Sequence, residues 1–183
     1  MRLLTLARDL RRRKARENTA LFTIEGTRAV EDLLASPLGI VGVLVSPQLL
    51  TTPRGVGLRD ALAARSIPIQ ELTAVEFDSA ADTEAPQGIL AIANTPSYSL
   101  DALDPPATAR FLVLDAVQDP GNVGTMIRTA AALGACATIA LPGTVDLWNA
   151  KVVRSAMGAH FQHPAVQCAW TELQAFQIGR AHV

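Results

Sequence analysis

The sequence predicts an α/β protein built from two small domains, and three observations lead to that prediction. Short apolar strands alternate with helical segments along most of the 183 residues. Hydrophobic residues make up 49% of the chain and charged residues 18%, so a packed core is expected. A proline-rich stretch at residues 96–109 interrupts the alternation, which indicates a linker between domains at 1–95 and 110–177.

Within residues 1–95, the alternation is typical of a small domain with a partly parallel sheet. Apolar residues recur at helical spacing over 27–34, and Pro37 and Gly39 end that helix. Residues 40–45 are apolar and β-branched, the composition of a buried strand. Strands are predicted at 20–24, 40–45, 67–71 and 88–94, and helices at 27–34, 58–64 and 74–79.

After the linker the pattern of strand and helix restarts. Asn122 can cap a helix that runs to Leu133, and Gly134 suits the left-handed position that follows it. Beyond Cys168 the chain is long enough for one short helix. Strands are predicted at 111–116, 137–141 and 165–168, and helices at 122–133 and 146–158.

Composition excludes several classes of protein. No apolar run approaches the ~18–20 residues that a membrane span needs. The N-terminal segment carries repeated arginine without the apolar region of a secretory signal. Cys136 and Cys168 are too few for a disulfide framework and lack metal-ligand spacing. We therefore expect a soluble, cytoplasmic protein with no membrane partner and no metal.

Charge is distributed unevenly along the chain. The net charge is −1, yet the first 28 residues contain eight basic and three acidic side chains. Such a cluster is typical of a site for a polyanion, and equally of a solvated helical arm. The candidate polyanion-binding side chains are Arg11, Arg12, Arg13, Lys14, Arg16 and Arg28.

The stretch most informative about chemistry is 115–134, DAVQDPGNVGTMIRTAAALG. It places a turn with Gly121 and Gly124 at the carboxyl end of a buried strand, where a helix begins. Anions bind at that edge of open α/β sheets, so Asn122 and Arg128 could hold a phosphate or a ribose. Alternatively, Asn122 only caps the helix and Arg128 pairs with an acid. A dinucleotide fingerprint and a P-loop are excluded, because their glycine and lysine patterns are missing.

These residues carry a family resemblance. D-x-x-x-DPGNVGT-x-x-RTAAA-x-G resembles the first signature of the SpoU (TrmH-like) branch of the SPOUT RNA methyltransferases. KVVRSAMGAHF, residues 151–161, is similar to the family's K-x-x-R-x-S-x-G-A-x-F segment, although Ser155 here follows Arg154 directly. FTIEGTRAVEDLL and APQGILAIA resemble the family's N-terminal substrate-binding domain. The resemblance extends from about residue 11 to residue 168.

The resemblance implies methyl transfer from S-adenosylmethionine to a ribose 2′-hydroxyl of structured rRNA or tRNA. It implies a ribosomal-protein-like RNA-binding domain at 1–95, followed by the first half of a trefoil-knot methyltransferase domain, in a homodimer. Arg128 corresponds to the catalytic arginine, and Asn122 would hold the ribose or that arginine. Since a guanidinium stays protonated, orienting the hydroxyl and stabilising an alkoxide suit it better than acting as a base. Lys151, Arg154 and Ser155 would hold RNA phosphates.

The chain also departs from the family pattern. Two C-terminal signatures that form the knot and the cofactor pocket are missing, so cofactor-binding residues stay unassigned and the chain is expected to be inactive. The last six residues, 178–183, resemble a translated sequencing adapter, which suggests a truncated reading frame. A non-catalytic RNA-binding protein and a different nucleotide-binding enzyme remain alternatives.

Several other side chains have structural expectations. His160 and His163 are expected to be structural and not metal ligands, and Trp148 and Trp170 to be core or interface residues. Glu25 is expected to organise the turn at Gly26. Because the second domain is incomplete, some apolar side chains should lack their partners and be exposed. The side chains in question are Val152, Val153, Phe161 and Val166.

Overall fold

The computed structural model describes residues 2–106 and 108–178, which form two compact units, 2–96 and 97–178. Within those ranges, no helix is long and apolar enough to cross a membrane. Of the predicted non-native tail, residues 179–183 lie outside the described part of the chain.

The first unit is built on a four-stranded mixed sheet. Its strands are β1 (Leu21–Glu25), β2 (Ile40–Val45), β3 (Ile69–Glu71) and β4 (Ile89–Asn94). Their order is β1-β4-β2-β3, so the last strand in the chain lies between the first two. β4 is antiparallel to β1 and to β2, whereas β2 and β3 are parallel. The sheet is therefore partly parallel, as the alternating pattern predicts.

Five helices surround this sheet: α1 (Leu3–Asp9), α2 (Arg13–Thr19), α3 (Thr27–Leu34), α4 (Pro53–Ala64) and α5 (Ala74–Asp78). α4 begins five residues before the predicted start at 58, because Pro53 suits the first helical position and the Thr52 side chain accepts from Gly55 N at 3.1 Å. Leu6 and Leu10 are buried in the core of the unit. The basic N-terminal segment is thus packed onto the domain through its apolar side and is not merely a solvated arm.

The second unit contains a three-stranded parallel sheet. Its strands are β5 (Phe111–Leu114), β6 (Ala137–Ala140) and β7 (Ala165–Gln167), in that order. The helices are α6 (Pro120–Ala132), α7 (Ala150–Ser155) and α8 (Trp170–Ile178). Gly134 adopts φ +73° two residues after α6, as predicted for a helix C-terminus.

Part of the predicted linker is ordered structure. Leu100–Ala102 forms one turn of 3-10 helix, and the Ser99 hydroxyl accepts from Ala102 N at 3.3 Å. Leu100 is buried in an apolar cluster with Leu141 and Leu173. Proline content excludes a long helix here, but it does not exclude a single turn that buries one leucine.

The expectation that apolar side chains of the second unit would lack partners is wrong for the four that were named. Each is at most 2% exposed, because the helices and the sheet of this unit cover one another. The four residues are Val152, Val153, Phe161 and Val166. The exposed large apolar side chains near the free edge of the sheet are instead Val113, Met126 and Leu133.

Candidate active site

The candidate site starts where α6 leaves the carboxyl end of β5. Asp119 caps the helix, since its Oδ1 accepts from Asn122 N at 2.7 Å, and Pro120 occupies the first helical position. Asn122 is therefore the third residue of the helix and not its cap, which corrects the expectation from sequence. The Asn122 side chain is exposed in the first turn of α6 and is not used for capping.

Gly124 allows α6 and α7 to pack directly against each other. A Cβ at Gly124 would lie 2.5 Å from Ser155 Cβ, 2.5 Å from Val152 O and 2.9 Å from Ala156 N. These distances are shorter than a real side-chain contact allows. The sequence predicts Gly124 in a turn at the edge of the sheet, whereas the structure places it inside α6, where it allows the approach of a second helix.

Arg128 lies on the exposed side of α6, one turn beyond Gly124. Its guanidinium lies beside the Met157 side chain. In the described ranges, no carboxylate forms an ion pair with Arg128. The alternative in which this arginine simply pairs with an acid is therefore not what the structure shows.

α7 carries the other predicted phosphate ligands of this unit. Asn149 caps it by accepting from Lys151 N at 2.9 Å, and Met157 and Gly158 end it with positive φ angles of 49° and 82°. The helix is accordingly shorter than the predicted range of 146–158. Lys151 is exposed and Arg154 and Ser155 are half-buried, and α7 packs against α6, the helix that carries Asn122 and Arg128.

A buried histidine supports the turn after α7. His160 is fully buried, its Nε2 donates to Leu147 O at 2.8 Å, and its ring stacks on Trp148 with centroids 4.1 Å apart. Burial lowers the pKa of His160 to about 4, against 6.5 for the free side chain. Burial also lowers the pKa of His163, whose Nε2 lies 2.9 Å from Thr138 Oγ1. Both histidines contact protein groups in the interior, and Trp170 is half exposed.

The predicted basic cluster of the first unit is mostly engaged within the protein. Arg12 pairs with Asp9 at 2.6 Å and Arg13 with Glu17 at 2.7 Å. Arg11 donates to Ala81 O and lies 3.4 Å from the Asp82 carboxylate. Lys14 and Arg28 are exposed, and no ion pair involves either in the described ranges.

Arg16 has a different position from the rest of the cluster. It is 7% exposed, and its Nη1 donates to Leu10 O at 2.6 Å and to Arg11 O at 2.9 Å. These carbonyls lie just after α1, where a cation satisfies otherwise unpaired acceptors. Arg16 therefore closes the end of α1, a role that net charge does not reveal.

Glu25 connects β1 to the segment before β4. This buried carboxylate accepts from Asp82 N at 2.8 Å and from the Thr83 hydroxyl. The turn at Gly26 is held by Gln87 instead, whose Oε1 accepts from Thr27 N at 2.8 Å. Glu25 thus organises residues 82–83 and not Gly26, which corrects the expectation.

The second unit contains two cavities beside its helices. One, of about 370 Å³, is lined by Arg110, Phe111, Met126 and Leu133 near the free edge of β5. The other, of about 390 Å³, is lined by Tyr98, Cys168 and Glu172 beside α8. Arg128 is not among the residues that line either cavity.

Three residues of the site were not singled out from sequence for the roles they have here. The capping role of Asp119 could have been predicted from the sequence, because Asp before Pro is a helix-start signal. The roles of Gly124 and Met157 could not have been predicted from the sequence, since they depend on where α7 lies. Among the described residues, no group of three or more metal-ligating side chains is present.

Comparisons with known families agree with both units. Residues 109–177 match the SpoU rRNA Methylase family, and residues 5–91 match the MRM3-like substrate binding domain. The chain is 40% identical over 161 residues to the 23S rRNA (guanosine(2553)-2′-O)-methyltransferase RlmP of Bacillus subtilis. That match covers 87% of the chain and 59% of the relative.

Further relatives give the same picture. The chain is 34% identical over 172 residues to the mitochondrial rRNA methyltransferase 3A of Danio rerio, covering 89% of the chain and 37% of that protein. The crystal structure of the AdoMet-bound rRNA methyltransferase from Sinorhizobium meliloti superposes with a TM-score of 0.83 at 26% identity, covering 97% of this chain and 66% of that one. The chain thus spans between about two fifths and two thirds of the length of these relatives.

Proposed function

The chain belongs to the SpoU rRNA methylase family, and we propose that it acts in the transfer of a methyl group from S-adenosylmethionine to a ribose 2′-hydroxyl of structured ribosomal or transfer RNA. The second unit is the catalytic part in this proposal. The first unit is the RNA substrate-binding domain. A second copy of the chain as partner and a cytoplasmic location are further parts of the proposal.

The observation that carries the proposal is a group of cations without carboxylate partners. Arg128 on α6 and Lys151 and Arg154 on α7 form no ion pair within the described ranges. The two helices that carry these charges pack directly against each other at Gly124. Unneutralised cations grouped in this way suit the phosphates of a polyanion.

The proposed chemistry assigns each residue a role that its side chain can perform. S-adenosylmethionine supplies the methyl group. Arg128 stays protonated, so it orients the ribose hydroxyl, binds the adjacent phosphate and stabilises negative charge that develops on the oxygen. Asn122, which is exposed in the first turn of α6, offers an amide to the ribose. Lys151, Arg154 and Ser155 hold neighbouring phosphates.

The first unit contributes a smaller set of cations than the sequence suggests. Lys14 and Arg28 are exposed and outside any ion pair that the described residues form, so they are the strongest candidates for RNA contact there. Arg12 and Arg13 would have to exchange an acidic partner for phosphate. Arg11 and Arg16 donate to backbone carbonyls, and we assign them a structural role.

The test is methyl transfer from labelled S-adenosylmethionine to ribosomal RNA by purified protein. Arg128→Ala should lower turnover by about 100- to 1000-fold, the cost of removing one donor to a developing oxyanion. Arg110→Ala is the matched control, since Arg110 is an exposed cation of the same unit outside the site. Turnover of Arg128→Ala within twofold of the wild type would contradict the proposal.

The same assay separates a second candidate, RNA binding without chemistry. That candidate uses the same exposed cations, Arg128 on α6 and Lys151 on α7, for phosphate contacts alone. It predicts salt-dependent RNA binding by the wild type and no labelled product. Labelled 2′-O-methylated ribose in the digested RNA would exclude it.

A further inference from the structure

Two loops of the second unit lead into the helices of the candidate site. Residues 115–119, the first loop, connect β5 to α6, and residues 141–149, the second loop, connect β6 to α7. β5 and β6 are neighbouring parallel strands, so both loops start at the same end of the sheet. The ends of these loops fix where α6, with Asn122, and α7, with Lys151, begin.

Hydrogen bonds connect the second loop to the end of β5 and to the first loop. Leu141 N donates to Leu114 O at 2.9 Å, and Val145 N donates to Val117 O at 2.9 Å. Between these two backbone bonds, the Thr144 hydroxyl donates to Leu114 O at 3.1 Å. Thr144 is 4% exposed, so its hydroxyl acts within the protein and does not face a substrate.

Gly143 lets the second loop approach the first this closely. It has φ +88°, a conformation that favours glycine, and a Cβ there would lie 3.2 Å from Ala116 Cβ. A side chain at this position would press on the first loop. The residue just before Thr144 is therefore suited to the contact that Thr144 makes.

The far end of each loop is a helix cap. In the first loop, Asp119 Oδ1 accepts from Asn122 N at 2.7 Å, and in the second, Asn149 Oδ1 accepts from Lys151 N at 2.9 Å. The two capped residues are both candidates for RNA contact. A shift of one loop against the other would therefore move the backbone of Asn122 relative to that of Lys151, and the bond from Thr144 opposes such a shift.

We propose that Thr144 is a positioning residue that holds the second loop on the end of β5, so that Asn122 on α6 and Lys151 on α7 keep a fixed separation for RNA. This inference rests on the proposed function for its consequence in RNA binding and methyl transfer. The connection between the loops can be tested without RNA.

The first test is amide hydrogen exchange, which measures how often a backbone hydrogen bond opens. Thr144→Val replaces the hydroxyl with a methyl group, so exchange at Val145 N should become about two- to tenfold faster, as for the loss of one hydrogen bond. Thr144→Ser keeps the hydroxyl and should restore the wild-type rate. The reference is Leu133 N, which donates to Thr129 O at the other end of α6 and should exchange at an unchanged rate.

Thr138→Val is the matched control. Thr138 is fully buried near the start of β6, and its Oγ1 lies 2.9 Å from His163 Nε2. The substitution thus removes an equally buried hydroxyl at the opposite end of the same strand, and exchange at Val145 N should stay at the wild-type rate. Unchanged exchange at Val145 N in Thr144→Val, or an equal increase in Thr138→Val, would overturn the inference.

The second test uses ribosomal RNA and the same three variants. Thr144→Val should weaken RNA binding by about threefold and lower kcat by about tenfold, because a displaced catalytic group slows the chemical step. Thr144→Ser should recover most of both losses, and Thr138→Val should stay within twofold of the wild type. Equal losses in Thr144→Ser and Thr144→Val would reduce Thr144 to a packing residue and overturn the inference.

The two tests distinguish this inference from the proposed function. If Thr144→Val exchanges faster at Val145 N and binds RNA more weakly, while the wild type never transfers a methyl group, the proposed function fails and the positioning role stands. If the wild type is active and exchange at Val145 N is unchanged in Thr144→Val, the positioning role fails and the proposed function stands.

Discussion

The two units differ in how many of their positive charges are paired with acids. In the first, Arg11, Arg12, Arg13, Arg54 and Arg59 all form ion pairs with acidic side chains. In the second, Arg110, Arg128, Lys151 and Arg154 form none in the described part of the chain. The basic N-terminal segment of the first unit uses most of its charge within the protein, whereas the second unit leaves a small cationic group unpaired.

This difference shows why the position of a charge matters more than the number of charges. A carboxylate partner neutralises the charge of an arginine and occupies some of its donors, which weakens its attraction for a phosphate, whereas an unpaired arginine keeps both its charge and its donors. The sequence places the densest basic cluster in the first unit, but the structure leaves the cations of α6 and α7 better prepared for a polyanion. The predictions below test this contrast between the units.

The largest expected effect is a loss of stability of the second unit in acid. His160 has a pKa of about 4 in the folded protein and about 6.5 when exposed, so the unfolded chain binds the proton more readily. Stability of the second unit is therefore complete above pH 6.5 and should fall by about 3 kcal/mol between pH 6.5 and pH 4. Denaturant titrations followed by tryptophan fluorescence would measure this, because Trp148 and Trp170 both lie in the second unit.

The first unit supplies the contrast for that prediction. It contains no histidine, and the Arg54 hydrogen bond holds the pKa of Glu31 below its usual 4.5, so this pair weakens only in stronger acid. His160→Gln keeps a donor for Leu147 O without titrating and should flatten the pH dependence. An unchanged slope in that variant would show that another group is responsible.

Next in size is the effect of a methyl group between α6 and α7. Gly124→Ala should destabilise the second unit by about 1–3 kcal/mol, since the added Cβ meets Val152 O and Ser155 Cβ. The matched control is Gly57→Ala in α4, where nothing lies within 4 Å of the added Cβ. That variant should stabilise the first unit by about 0.5–1 kcal/mol. Equal responses at the two glycines would mean that α6 and α7 do not pack closely.

A smaller effect is expected in the salt dependence of RNA binding. Lys151→Ala and Arg154→Ala should each reduce the slope of log affinity against log salt by about 1, as for the loss of one phosphate contact. Arg12→Ala and Arg13→Ala should change the slope less, because their charges are already paired. Filter binding between low and moderate salt measures these slopes. If Arg12→Ala and Arg13→Ala changed the slope more than Lys151→Ala and Arg154→Ala, the first unit and not the second would make the main phosphate contacts.

The smallest effect concerns stability at the surface of the first unit. Asp9→Ala removes the carboxylate partner of Arg12 and should cost no more than about 1 kcal/mol, the usual range for an exposed ion pair. It should also steepen the salt dependence of RNA binding, because Arg12 becomes unpaired. Thermal unfolding and the same binding titrations check both outcomes.

Most of the fold follows from local pattern. The predicted bounds of α3 and β2 agree with the structure, because apolar spacing and flanking proline and glycine define both elements locally. α7 is shorter than predicted, since the end of that helix depends on the left-handed backbone of Met157 and Gly158. The apolar residues of the second unit are buried because α7 and the sheet cover them. The prediction that they are exposed considered only the two missing family signatures and not the packing of the residues that are present.

The candidate site was predictable in its residue types and less so in its geometry. Arg128 and Lys151 lie on α6 and α7, within the predicted helices, whereas Asn122 lies inside the first turn of α6 and not at its cap. The partners of the arginines are set by contacts between residues far apart in sequence, such as Arg11 with Asp82 and Arg128 with Met157. A sequence pattern that extends over one helix turn cannot predict such contacts.

The strand order of the first unit has a consequence for the newly made chain. β1 and β2 are adjacent in sequence but not in the sheet, because β4 lies between them. At a synthesis rate of roughly 5–20 residues per second, the chain between β2 and β4 takes several seconds to emerge. During that interval β1 has no partner strand. Its apolar side chains are then accessible to chaperones and to other copies of the chain that are being translated from the same mRNA. We therefore expect the first unit to close its sheet in a single late step, when β4 inserts.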